Sequence, residues 1–152
     1  MTRSEVLAEA RSWLGTPYRH QASRKGVGAD CLGLVRGVWR ACIGPEPEAI
    51  PPYTPDWAED TGEDTLLNAA RRYLVEIPIG QATPGDVLLF RMASGAPAKH
   101  CAIISASVPG AGRILHAYWG RSVCETALVS WWQRRIAASF SFPDLENDPW
   151  HD

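Results

Sequence analysis

A chain of 152 residues, 45% hydrophobic and 21% charged, has the length and composition of one folded domain spanning 1–152 rather than of a disordered segment. Its formal net charge of -2 carries no basic excess, which argues against nucleic acid or an anionic membrane surface as a main partner. No run approaches the ~20 apolar residues of a membrane-spanning helix, and no apolar core opens the N-terminus. The expectation is a chain made in the cytoplasm without an ordinary cleaved signal.

Thr2-Arg-Ser-Glu5 has the form of a capping box, and Val6, Leu7, Ala10, Trp13 and Leu14 then make one helical stripe that Gly15 stops. Thr16-Pro17-Tyr18 turns the chain away. Residues 19–28 are polar, basic and glycine-containing, a loop that delivers the chain into a second helix over 31–42, ended by Gly44-Pro45. In that helix Cys31, Val35, Val38 and Cys42 recur at helical spacing, and Asp30 is its expected N-cap. Residues 45–60 hold five prolines and predict an irregular surface insert. A third helix is expected over 63–74.

After Ile77-Pro78 the pattern changes. Pro84-Gly85-Asp86 predicts a turn, and strands are expected at 87–90, 100–105, 113–118, 123–129 and 136–142. Helices first and strands later predict an α+β domain, N-terminal helices packed on an antiparallel sheet of about five to six strands. The polar residues 144–152 are expected to fray. The four cysteines, at 31, 42, 101 and 124, lack C-x-x-C spacing; Cys42, Cys101 and Cys124 fall in apolar stretches and are expected as reduced core residues.

Cys31 is the exception. In the first turn of a helix, unpaired N–H groups and the helix dipole favour an anion, and such a position lowers a thiol pKa from ~8.5 into the range of roughly 3.5–7.5. Two histidines fall inside expected strands, His100 and His116, joined by a turn-rich connection over 107–112. A hairpin centred near Val108 or Pro109 pairs residues whose numbers sum to about 216–218, which sets His100 against His116 or Tyr118 on one face. A cysteine nucleophile needs a base, and the base needs a third group to fix its tautomer; Cys31, His100 and His116 fill those roles. Zinc binding is the rival use of the same residues, but paired short-spaced ligands such as H-E-x-x-H are missing, so neither metal nor cofactor is expected. G-x-S-x-G and phosphate-binding glycine loops are missing too.

Asp30-Cys31-x-Gly33-Leu34-Val35, Pro84-Gly85-Asp86-Val-Leu-Leu-Phe90, His100 opening an apolar strand, and Leu115-His116-Ala117 occur in that order. Together with Gly15-Thr-Pro-Tyr18 they resemble the NlpC-type family of bacterial cell-wall cysteine peptidases, relatives of papain by fold. The resemblance implies Cys31 as nucleophile, His100 as general base and His116 as the orienting third member. It also implies a stem-peptide substrate in peptidoglycan, cut between γ-D-glutamate and a diamino acid. Leu32 departs from the serine usual after the cysteine. Asp-Cys-Leu-Gly-Leu-Val-Arg36 and the proline-rich insert look most like the branch encoded with phage-tail and gene-transfer-particle genes. That likeness implies tail hub or tip proteins as partners and incorporation in a phage-like particle acting on the host wall. Residues 45–60 are then either the docking surface or a loop that only covers the core. The Cys31 N–H is expected to hold the oxyanion; Asp30, Tyr18 and Trp119 are further substrate or oxyanion candidates, with packing as the alternative for Tyr18 and Trp119. The competing function is a structural or wall-binding tail module that keeps the fold without turnover.

Overall fold

The computed structural model describes residues 1–47, 64–107 and 112–146. Helix α1 (Arg3–Arg11) starts from a complete capping box: the Thr2 hydroxyl accepts from the Glu5 N–H at 3.1 Å, and the Glu5 carboxylate accepts from the Thr2 N–H at 2.9 Å. It ends at Arg11, short of the expected stop. Trp13 still turns inward, but Leu14 lies beyond the helix and is 44% exposed, so it is not part of the buried stripe. The loop that follows is more ordered than its composition predicts, because β1 (Ser23–Arg24) and β2 (Gly28–Ala29) close a small antiparallel hairpin within it.

Helix α2 (Cys31–Cys42) has the predicted bounds. Its inner side buries Leu34, Val35 and Val38 against Val6, Ala10 and Trp13 of the first helical segment. Two of its glycines are needed for close approach. A Cβ on Gly37 would strike the Trp13 indole, and one on Gly33 would strike the backbone carbonyl of Ala22. Helix α3 (Thr65–Tyr73) adds Leu66, Leu67 and Ala70 to the same core.

The strands are β3 (Val75–Ile77), β4 (Val87–Arg91), β5 (Ala98–Ala106), β6 (Arg113–His116), β7 (Cys124–Ala127) and β8 (Ile136–Ser141). They form one antiparallel sheet of six strands among the described residues, in the order β3-β8-β4-β5-β6-β7. The architecture is therefore the expected α+β arrangement of helices on an antiparallel sheet. One face, with Val87, Leu89, Cys101, Ile103, Leu115 and Phe140, packs under the helices. The other, with Leu88, Phe90, Ala102, Ile104 and Ile114, is covered by Trp132 from the short helix α4 (Ser130–Gln133). Burial on both faces explains the uninterrupted apolar run of β4.

Asp86 lies at the end of that run and is fully buried. It accepts from Arg3 Nε at 3.3 Å, Ser141 Oγ at 2.8 Å and the Thr83 N–H at 3.0 Å, so one carboxylate ties α1, the Pro84-Gly85 turn and β8 together. Glu146 forms a bridge with Thr2 and donates its N–H to the Met1 carbonyl at 2.7 Å, so the expected fraying does not begin at residue 144. Residues 147–152, most of the expected proline-rich insert and the centre of the 107–112 connection lie outside the described residues. Of the three cysteines expected in the core, Cys101 is buried, whereas Cys42 and Cys124 are only half-buried.

Candidate active site

Cys31 is the first residue of α2, and the residue before it fixes its position. One oxygen of the buried Asp30 carboxylate accepts from the Gly33 N–H at 2.7 Å, and the other accepts from the Gln21 N–H at 2.8 Å, with His20 Nδ1 at 3.8 Å. Asp30 is thus an N-cap that also ties the incoming loop to the helix. Its carboxylate is engaged in placing Cys31. The Cys31 N–H, at the first helical position, is one of the groups that a helix leaves unpaired.

The sheet supplies the histidines. The β5–β6 register pairs Ile103 with Leu115 and Ile104 with Ile114, so the residue numbers sum to 218, within the expected window. Continued toward the start of β5, that register faces His100 toward Tyr118 and puts His116 on the diagonal. The two imidazoles meet directly, with His100 Nε2 2.8 Å from His116 Nδ1. His116 Nε2 in turn lies 2.9 Å from the Thr126 hydroxyl on β7. Both histidines are buried, and both contact the Trp132 ring, at 5.1 and 5.3 Å between centroids; Tyr118 lies 5.7 Å from His100.

The electrostatics separate the two rings. Burial, and then the proximity of His100, press the His116 pKa down from 6.5 to about 3, so that ring is neutral at pH 7. A neutral His116 has one N–H and one lone pair. An N–H on Nε2 donating to Thr126 leaves the Nδ1 lone pair to accept from His100 Nε2–H. That chain fixes the His100 tautomer and leaves His100 Nδ1 to exchange a proton.

The Cys31 thiol pKa is held well below the ordinary value. The Cys101 thiol is the largest favourable influence, followed by the hydrogen bond and charge of His100; burial and the Asp30 carboxylate oppose them. Tyr18 borders the same spot. Its hydroxyl pKa is raised by burial and then by the negative charges of Asp30 and Cys31. Trp119, 66% exposed, sets its ring edge-on to Tyr18 at 5.7 Å, a solvent-facing wall beside that residue.

All six sequence candidates therefore gather around the start of α2 and the adjoining end of the sheet. Thr126, Trp132 and the influence of Cys101 on the Cys31 thiol were not foreseen; the adjacency of Cys101 to His100 was the one available signal for the last. The two imidazoles point at each other rather than toward a common point, and no group of three metal-ligating side chains gathers among the described residues.

A helix that presents a thiol from its first residue onto an antiparallel sheet carrying two hydrogen-bonded histidines defines a papain-like α+β domain. The sequence profile of the NlpC/P60 family matches residues 15–140, and the chain belongs to that family, whose members are cysteine hydrolases of peptidoglycan. Among solved structures it is similar to the NlpC/p60 domain of the peptidoglycan hydrolase SagA, with 26% identity, a TM-score of 0.62, and 93% of this chain and 100% of that one covered. It also resembles an NLP/P60-family lipoprotein-like protein from Staphylococcus aureus (19% identity, TM-score 0.62, 95% of this chain) and NlpC1 from Trichomonas vaginalis (19%, 0.57, 93%). The chain spans 42% of the staphylococcal protein and 44% of the protozoan one. No curated protein sequence matches it.

Proposed function

We propose that the protein is a cysteine endopeptidase that cuts stem-peptide amide bonds of peptidoglycan, between γ-D-glutamate and a diamino acid. One observation carries this reading: a thiol at a helix start, whose ionisation His100 favours, with His100 Nε2 hydrogen-bonded to a neutral His116. Cys31 attacks the scissile carbonyl as the thiolate, and His100 Nδ1 delivers a proton to the departing amine, leaving a thioester on Cys31. Water activated by the same imidazole then hydrolyses the thioester. The Cys31 N–H, at the positive end of α2, meets the oxyanion, with the Tyr18 hydroxyl as a second donor. His116 holds His100 in the tautomer that this exchange needs, and Trp119 walls the cleft.

Mass spectrometry of fragments released from purified peptidoglycan tests the reading. Stem peptides ending in D-glutamate paired with fragments beginning at the diamino acid are expected. Release of only intact stem peptides would overturn it.

The likeness of Asp30 to Arg36 to phage-tail relatives supports a finer proposal: the enzyme travels in a phage-like particle and opens the wall locally during injection. Purified particles should then contain the chain, and particles carrying Cys31→Ser should adsorb normally yet deliver DNA poorly. A protein found free in the host and never in particles would end that proposal.

A further inference from the structure

The register that places His100 also places a basic cluster beside it. Phe90 pairs with His100 on one side and with Ile136 on the other, so the start of β8 lies at the same end of the sheet as the histidines. The Arg91 N–H donates to the Arg135 carbonyl at 2.8 Å and closes that end. There the β4–β5 connection and the start of β8 line a cavity of about 500 Å³, with Arg91, Ser94, Gly95, Arg134, Arg135 and Ile136 in its wall. None of its lining side chains is acidic. Arg91 is neutralised by Asp64 at 2.7 Å, whereas Arg134 and Arg135 have no carboxylate partner among the described residues. Arg135 is held in place: its guanidinium lies 3.7 Å over the Trp131 ring, and its Nη1 donates to the Trp131 carbonyl at 2.8 Å. Its Nε is buried and finds no acceptor among the described residues. Trp131 meets Trp132 edge-on at 4.8 Å, and Trp132 lies 5.1 Å from His100, so two indoles connect this guanidinium to the imidazole.

We propose that Arg134 and Arg135 form an anion subsite that takes the terminal carboxylate of the stem peptide on the leaving-group side of the scissile bond. The inference rests on the reading of Cys31 and His100 as hydrolytic machinery, because that reading says which side is which. His100 gives its proton to the departing amine, so the fragment that bears the amine lies on the His100 side of the cleft. The cavity adjoins His100 through Trp132 and Trp131, on that same side. A fragment that begins at the diamino acid ends in a carboxylate, an acceptor-only group. The planar guanidinium fork matches a carboxylate with two parallel hydrogen bonds, and two cations without counter-charge favour an anion between them. Stacking on Trp131 fixes the Arg135 fork before the peptide arrives, which reduces the ordering cost of binding. A neutral peptide end would leave both charges uncompensated.

The test compares the soluble stem peptide L-alanyl-γ-D-glutamyl-L-lysyl-D-alanine with its C-terminal amide. Calorimetric titration into the Cys31→Ser protein reads binding without turnover. The free acid should bind about tenfold more tightly than the amide, and added salt should shrink the difference. Arg134→Gln/Arg135→Gln on that background should abolish the preference. Arg134→Gln alone changes an exposed residue and leaves the Arg135–Trp131 stack in place, so it should remove about a threefold share of the preference. With Cys31 present, the double substitution should raise KM for the acid by the same factor as it weakens binding, with kcat and the KM for the amide unchanged. A general loss of folding would lower turnover of both peptides alike. Equal affinity for acid and amide, or an acid preference that survives the double substitution, overturns the proposal. The two readings fail separately: no cleavage of either peptide by wild type overturns the hydrolase reading, whereas cleavage of both with equal KM overturns the subsite.

Discussion

His100 and His116 share a single hydrogen bond of 2.8 Å between Nε2 of the first ring and Nδ1 of the second, and burial keeps the second ring neutral. With its Nε2–H given to Thr126, the neutral His116 ring accepts on Nδ1, which leaves the other nitrogen of His100 to exchange a proton. The functional asymmetry of two chemically identical side chains thus arises from their depth in the sheet and from one hydroxyl, that of Thr126.

His100→Ala should remove proton transfer and lower hydrolysis by roughly 10²–10⁴-fold. His116→Ala should lower it less, because that ring orients rather than reacts. Thr126→Val should act in the same direction as His116→Ala by freeing the His116 tautomer, leaving a buried N–H unpaired at about 1–3 kcal/mol. Steady-state rates on a soluble stem-peptide substrate rank the three; a Thr126→Val enzyme as fast as wild type removes Thr126 from the relay.

The neutral His116 links stability to pH. Its folded pKa of about 3 lies below its unfolded value of 6.5, so between these values the unfolded chain binds the extra proton. The favourable contribution is fully present above pH 6.5 and is lost as pH falls toward 3, by up to about 1.4 kcal/mol per pH unit. Urea unfolding at pH 7 and pH 5 should show a smaller drop for His116→Asn than for wild type. Equal drops would show that His116 titrates normally in the folded protein.

Asp30 has two opposed effects on Cys31: it caps the helix that presents the thiol, and its charge disfavours the thiolate. Asp30→Ala should lose the cap and about 1 kcal/mol of stability. Asp30→Asn keeps a capping oxygen and removes the charge, so iodoacetamide should alkylate Cys31 faster at pH 6 than in wild type. Peptide mapping after brief exposure gives both this rate and the site order, in which Cys31 should precede Cys42, Cys101 and Cys124.

Gly33 and Gly37 differ in what a methyl group would meet. In Gly37→Ala it meets the Trp13 indole, a side chain that can shift at about 1–3 kcal/mol of overpacking. In Gly33→Ala it meets the Ala22 backbone carbonyl, so the loop held by Asp30 must move. Both variants should melt lower, but only Gly33→Ala should also slow Cys31 alkylation.

Much of this arrangement was legible in the sequence where a local signal coincided with the global fold. Helix α2 has an N-cap at Asp30, an apolar stripe and a Gly44-Pro45 stop, and its bounds match. The β4 and β5 strands announce themselves as apolar runs because both of their faces are buried. Where a strand was exposed or only two residues long, the signal was lacking. Val75-Glu-Ile77 is an exposed edge strand of three residues, and Ser23-Arg24 and Gly28-Ala29 are two-residue strands rich in polar and small residues. Leu14 follows the helical spacing of Val6 and Ala10, but the helix has already ended at Arg11. The candidate triad residues were visible as types and spacing, whereas Thr126 and Cys101 depend on strand register and face, which no short motif encodes.

As the proposed nucleophile of an amide hydrolase acting on peptidoglycan stem peptides, Cys31 should be indispensable for cleavage. The most direct measurement is the rate of stem-peptide cleavage by wild type and by Cys31→Ser on one preparation of peptidoglycan, with circular dichroism showing both folded. Cleavage by wild type and none above background by Cys31→Ser is the predicted result; equal cleavage by the two would contradict the account.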